Sequence, residues 1–202
     1  CVGGKYLRHE RTHPLRPLPL PILHTGFFVI SHFPDYRLVI FEKKNILMFN
    51  IRVYGILINE KKQVLVSDEY IRGGYYTKFP GGGLEFGEGT RDCLKREFKE
   101  EMDLEVEVGD HIYTTDYFQM SAFNPEHQIV SIYYFTKALE PIKCPVRTNE
   151  FDFDEQQMEI YNRSGEIETF RFIKWNDFGP DKVTLPIDKI VAGLLKDLKV
   201  KS

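Results

Sequence analysis

Residues 82–104 read GGLEFGEGTRDCLKREFKEEMDL, a glycine-rich turn leading into a stretch without Gly or Pro from Thr90 to Met102. The absence of helix breakers predicts a helix over 90–102. At about 100° per residue, Glu97, Glu100 and Glu101 share an arc of roughly 100°, and Leu94, Phe98 and Met102 fill the arc beside it. One flank of the helix can therefore bury itself while the adjacent edge presents three carboxylates. Like charges four residues apart cost about 0.2–0.5 kcal/mol per pair, a cost that a divalent cation relieves. Mg²⁺ prefers oxygen ligands, keeps several waters and takes the rest of its shell from substrate phosphates. Arg96 can neutralise one carboxylate and hold its geometry, and the glycines let backbone approach an ion closely. Taken alone, REFKEE is more simply a solvated acidic face; its spacing from the upstream glycines and Glu88 is what points to a site.

The chain around this segment has 202 residues, enough for one domain with a real core plus an extension. Hydrophobic residues make up 42% and charged residues 28%, ordinary globular usage. The 16 Phe and 11 Tyr favour β-structure and stacking on flat ligands. A net charge of -3 argues against a surface built to neutralise a nucleic-acid backbone. It leaves room for a small phosphate substrate, because a metal ion supplies positive charge. The three cysteines, Cys1, Cys93 and Cys144, are scattered and form neither a disulfide framework nor a CxxC pair. A reducing cytoplasm is the expected setting.

Residues 1–47 differ from the rest and are expected to be an irregular extension or leader, with the folded domain at 48–202. Four of the six histidines lie there (His9, His13, His24 and His32), as do Pro14, Pro17, Pro19, Pro21 and Pro34. The run from Pro17 to Pro34 carries no formal charge and follows Lys5, Arg8, Arg11 and Arg16, which raises a signal peptide. Prolines at alternate positions spoil an apolar helix, and no small-x-small cleavage site is evident, so neither secretion nor membrane insertion is expected. Met48 stands just before the first clean strand and is a plausible translation start.

Beyond Met48, β-rich runs are expected at Ile51–Ile58, Val64–Val66 and Tyr75–Phe79. A Gly turn follows at Gly81–Gly83, then the helix at 90–102. Further strands are expected at Leu104–Val108, Ile112–Phe118, Ile129–Thr136 and Glu168–Trp175. Ile187, Ile190, Val191, Leu194, Leu195 and Leu198 recur at helical spacing behind Pro186. Residues 145–166 form a polar, acidic connection without a clear pattern.

In residues 82–104, Gly82, Glu88, Arg96, Glu97, Phe98, Glu100, Glu101 and Leu104 stand in the register of the Nudix box: Gly, five residues, Glu, seven residues, Arg-Glu, an apolar residue, any residue, Glu-Glu, any residue, Gly, aliphatic. Phe79-Pro80-Gly81 is also similar to the family's approach to the box. The segment thus resembles the MutT-like Nudix hydrolases. One position departs: the final Gly is Asp103, where a left-handed residue closes the helix. Asp tolerates that conformation better than most residues, at about 1 kcal/mol relative to Gly. The resemblance implies an α/β (α+β) fold, a Nudix-type α/β/α sandwich with a mixed sheet. Trp175 and the helix at 187–198 match the family's last strand and helix.

The resemblance further implies an enzyme, a pyrophosphohydrolase in which water attacks one phosphorus of a diphosphate, with Mg²⁺ (Mn²⁺ as a substitute) as Lewis acid, water activator and template. It assigns Glu97, Glu100 and Glu101 as metal ligands, with the Gly81 or Gly82 carbonyl as a further candidate. Glu88 and Arg96 would orient those carboxylates. The general base stays open between a box glutamate and a later acid such as Glu150, Glu155 or Glu159. The expected partner is a small nucleotide: a nucleotide-sugar, ADP-ribose or a nucleoside triphosphate. Arg72, Tyr75, Tyr76, Phe86 and Tyr117 are candidates for stacking on a base or touching phosphate, although each also suits packing or surface roles. Neither nucleic acid nor a membrane is expected, and a homodimer is possible because dimers are common in the family.

His9-Glu10-Arg11-Thr12-His13 formally matches HExxH, yet Pro14 disfavours helical geometry at His13. The rival from another class is a Nudix-like sensor that binds a nucleotide without cleaving it. Such modules usually lose box carboxylates, and this chain keeps all of them.

Overall fold

The computed structural model describes residues 48–198. The leader at 1–47, with its His9/His13 pair, lies outside the described residues. The elements run β1 (Met48–Leu57), β2 (Gln63–Ile71), β3 (Gly74–Lys78), β4 (Gly81–Gly83), α1 (Thr90–Met102), β5 (Val106–Thr114), β6 (His127–Ala138), β7 (Val146–Arg147), α2 (Glu155–Ser164), β8 (Glu166–Lys174) and α3 (Pro186–Asp197).

Two four-stranded mixed sheets result, ordered β4-β1-β6-β5 and β3-β2-β8-β7. In the first, β1 is antiparallel to β4 and parallel to β6. In the second, β2 is antiparallel to both β3 and β8. Strand side chains alternate between two cores. Val53, Leu57 and Leu65 join Leu94, Phe98 and Met102 of α1. Tyr54, Ile56, Val64 and Val66 join Ile187, Val191 and Leu195 of α3. The expected layering, helices against strands on either side, is the one found. Burying the three α1 side chains contributes roughly 5–9 kcal/mol before entropy. A close approach makes this packing possible: a Cβ on Gly55 would stand 2.6 Å from Phe98 Cε2.

α1 ends as the sequence predicts. Asp103 adopts φ 47°, ψ 42°, its N–H donates to the Lys99 carbonyl at 3.0 Å, and its carboxylate sits 2.6 Å from Lys99 Nζ. Other expectations need correction. The segment divided at Gly109 is one strand, β5, whose register shifts absorb the polar residues around His111; residues 115–118 leave it. The Gly81–Gly83 turn is instead a short strand against Arg52–Tyr54. Gly81 has φ +130°, and a Cβ there would lie 2.2 Å from the Val53 carbonyl oxygen, so only glycine closes this pairing. The acidic connection contains α2. Its signal was a capping box: Asp154 accepts from Gln157 N at 2.9 Å, and Gln157 Oε1 accepts from Asp154 N at 3.1 Å. No residue of α2 is buried, so it carries no apolar periodicity to read. Among the described residues no helix is long and apolar enough to cross a membrane.

Candidate active site

The loop from β4 to α1 folds back onto the helix through Arg96. Its Nε donates to Glu88 Oε2 at 3.1 Å and its Nη2 to Glu88 Oε1 at 2.7 Å, a two-pronged pair. Nη2 also reaches the Gly83 carbonyl at 3.0 Å, while Nη1 donates to Glu97 Oε1 at 2.9 Å and Glu100 Oε2 at 3.1 Å. One guanidinium thus ties β4, the loop and two helix carboxylates together. The Arg96 hydrogen bonds, with a further one from Glu85 N–H, hold the Glu88 carboxyl near a pKa of about 2. Glu88 is therefore ionised throughout the neutral range. Gly82 leaves room for Glu97: a Cβ there would sit 2.4 Å from the Glu97 carboxylate carbon. Glu100 is the outlying member, with its side chain 61% exposed.

Glu101 points inward. Its Oε2 is buried and has no hydrogen-bond partner among the described residues. Burial, then the nearby Glu168, pushes its pKa up to about 8. Glu168 lies on β8 directly across from Glu69 on β2, an arrangement of like charges that a sheet tolerates only with compensation. Lys78 supplies part of it, with Nζ 2.8 Å from Glu69 Oε1 and 3.0 Å from the Gly81 carbonyl oxygen. Ser67 Oγ donates to Glu168 Oε2 at 3.0 Å. Among the described residues no three His, Cys, Asp or Glu side chains already form a metal cage. The corner still fits Mg²⁺, which needs only one or two protein carboxylates beside waters and phosphate oxygens. Its donors are all oxygen, and one of them is a buried carboxylate oxygen awaiting a partner.

Lys78 and Glu69 also line a cavity of about 520 Å³, which therefore adjoins the carboxylate corner, although Glu97, Glu100, Glu101 and Glu168 are not among its lining residues. Arg52, Tyr54, Tyr133 and Asp188 line it as well. Of the residues proposed to touch substrate, Arg72 lines the cavity from the β2–β3 turn, at φ 48°. Tyr76 lies edge-on to Phe123, a cavity residue, with ring centroids 5.3 Å apart. Phe86 stands fully exposed on the loop before α1 and is not part of the lining. Tyr75 stacks on Tyr70 at 4.4 Å, and Tyr117 is 38% exposed in the loop after β5. Among the candidate bases, Glu150 sits 3.4 Å from Arg171, and Glu155 and Glu159 are exposed on α2. Sequence reasoning missed Arg52, Glu69, Lys78, Glu168 and Asp188. Four lie within strands, Glu69 and Glu168 among other charges of β2 and β8, and the local hint was a charged residue at a position the strand pattern buries.

Three solved structures share the fold. The solution structure of the E. coli ORF135 protein matches with TM-score 0.53 at 14% identity, over 76% of this chain and 93% of that one. A NUDIX hydrolase from Nitrosomonas europaea matches with TM-score 0.52 at 14% identity, over 73% and 88%. A MutT NUDIX hydrolase from Burkholderia pseudomallei matches with TM-score 0.50 at 14% identity, over 73% and 98%. No curated protein matches the sequence. The profile of the NUDIX domain matches residues 48–194, which takes in the box, both sheets and most of α3, and the chain belongs to the Nudix hydrolase family.

Proposed function

We propose that this Nudix hydrolase is Mg²⁺-dependent and cleaves a phosphoanhydride in a nucleoside diphosphate linked to another group, as in a nucleotide-sugar, ADP-ribose or a nucleoside triphosphate. The observation that carries the reading is the unpartnered, buried oxygen of Glu101, set beside Glu97 and near Lys78, which itself lines the neighbouring cavity together with Arg52 and Arg72. Glu97 and Glu101, with Glu100 at the rim and the Gly81 or Gly82 carbonyl, would hold Mg²⁺, or Mn²⁺ in its place. When bound there, such an ion supplies Lewis-acid polarisation of a phosphoryl oxygen and a more acidic water. Arg96 and Glu88 keep Glu97 and Glu100 from swinging apart, which fixes the donor geometry. Lys78 and Arg52 present positive charge where phosphate oxygens enter, and Arg72 extends it at the mouth. Glu168, beside Glu101, joins the box glutamates as a group able to take a proton from the attacking water.

The test is phosphate or nucleotide release from a panel of nucleoside diphosphate derivatives and nucleoside triphosphates, with and without Mg²⁺. Metal-dependent turnover of at least one compound is expected, with a loss of about 10²-fold or more in Glu101→Gln. Turnover unchanged in Glu101→Gln overturns the site. Tight nucleotide binding without turnover of any compound overturns the hydrolase reading.

A further inference from the structure

Lys78 is the last residue of β3, and it is buried. Its ammonium has three donors, and partners for two are found among the described residues. Nζ sits 2.8 Å from Glu69 Oε1 and donates to the Gly81 carbonyl oxygen at 3.0 Å. Burial disfavours its charge, but Glu69, then Tyr54 and Glu101, outweigh this and hold its pKa above the usual value. A charged ammonium thus stands on one of the oxygens counted above as donors for Mg²⁺, near the carboxylate whose Oε2 has no partner. A lysine committed to phosphate alone would have no reason to hold that carbonyl.

An ammonium and a divalent ion call on the same carbonyl lone pairs, and their like charges repel. Lys78 therefore competes with the ion for Gly81. The competition is reversible, because the lysine stem is flexible and Lys78 also lines the cavity beside the corner. A phosphate entering that cavity offers the ammonium a charged acceptor in place of a neutral carbonyl. Resting on the proposed Mg²⁺ site, we propose that Lys78 is an internal stand-in for the metal: it holds the Gly81 carbonyl in the metal-free protein and releases it when a phosphate draws the ammonium into the cavity. Free ion is thereby held off, and metal and phosphate load together, each tightening the other. Lys78 acts in this through the carbonyl, as a positioning residue.

Titration of the metal-free protein with Mn²⁺, followed by electron paramagnetic resonance of the free ion, tests this without turnover. Lys78→Met keeps a stem of similar length and removes the ammonium. It should bind Mn²⁺ about ten-fold or more tightly than the parent, with no nucleotide present. Loss of a positive charge alone also favours a cation, so the deciding variant is Lys78→Met with Glu69→Gln. That pair of changes leaves the net charge as it was and strands no buried carboxylate, so it also serves if Lys78→Met fails to melt cooperatively. Its gain over the parent should again reach about ten-fold. Excess inorganic phosphate should tighten Mn²⁺ binding several-fold in the parent and less in Lys78→Met. Mn²⁺ affinity of the double variant equal to or below the parent's overturns the inference, as does an equal phosphate effect in parent and Lys78→Met. Adding Glu101→Gln to parent and double variant separates the two readings. Binding that survives Glu101→Gln undiminished sinks the metal corner and this inference with it. Binding that needs Glu101 but ignores Lys78 sinks this inference alone.

Discussion

Replacing Gly82 by Ala isolates the role of the glycine wall beside Glu97. The new Cβ would lie 2.4 Å from Glu97 Cδ and Oε2, against the 3.4 Å at which ordinary contact begins. The carboxylate must therefore retreat by about 1.0 Å (3.4 − 2.4). Backbone strain adds little, because Gly82 is not among the glycines with positive φ. Nor can Glu97 move freely, since Arg96 Nη1 holds it at 2.9 Å and that guanidinium is committed to Glu88 as well. A misplacement of about 1 Å in a catalytic constellation costs on the order of 10²-fold, equivalent to about 2.7 kcal/mol. Stability should fall too, by about 1–3 kcal/mol, because the Glu97 side chain is only 12% exposed and the extra methyl enters a packed contact. The assay is kcat/KM on the best compound of the panel, with urea unfolding in parallel and Gly83→Ala as comparison. A Cβ on Gly83 meets nothing within 4 Å, so that variant should change little. If Gly82→Ala turns over as fast as Gly83→Ala, the close fit of glycine to Glu97 has no catalytic meaning.

Three further outcomes are expected. Glu88→Gln sets an amide N–H₂ against the Arg96 guanidinium, and Mn²⁺ affinity, followed by paramagnetic relaxation, should fall about 10- to 100-fold. Gly55→Ala drives a methyl to within 2.6 Å of Phe98 Cε2 and 2.8 Å of Thr136 Cγ2, and urea midpoints should report a loss of about 1–3 kcal/mol. Asp188, pushed up to about 7 by burial, supplies one part of the pH dependence, and Glu101, pushed up to about 8, supplies another. Between the ordinary carboxyl value of about 4 and those figures, each group holds a proton in the folded chain that the unfolded chain has released. Stability of the ligand-free protein therefore falls as pH rises through this window, by up to about 1.4 kcal/mol per unit for each group. Asp188→Asn should make that slope shallower in unfolding series from pH 4 to 8, leaving the part due to Glu101, and an unchanged slope refutes the assignment.

The box and its helix were legible because their geometry is local. Helical spacing alone puts Glu97 and Glu101 on one edge and Leu94, Phe98 and Met102 beside them, and the structure keeps that division. Asp103 was readable for the same reason, since a helix end depends on a single residue's backbone preference. The α2 helix was harder, because its evidence is a cap and a C-terminal Gly165 at φ 79°, with no buried stripe to announce it. The rest of the site lies beyond local reading altogether. Glu168 faces Glu69 only because β2 pairs with β8 about a hundred residues away. Asp188 meets Tyr133 across a separation of 55 residues. In the sequence each is one charge among others in its element, a pattern that a solvated strand edge or helix end produces equally well. Long-range pairing alone decides whether such a charge finds water, a counter-ion or a cavity. The chemistry common to the family is thus written in one helix, while the features that would choose this chain's own substrate come from β1, β2, β3, β6 and α3 together and exist only once the sheets have closed.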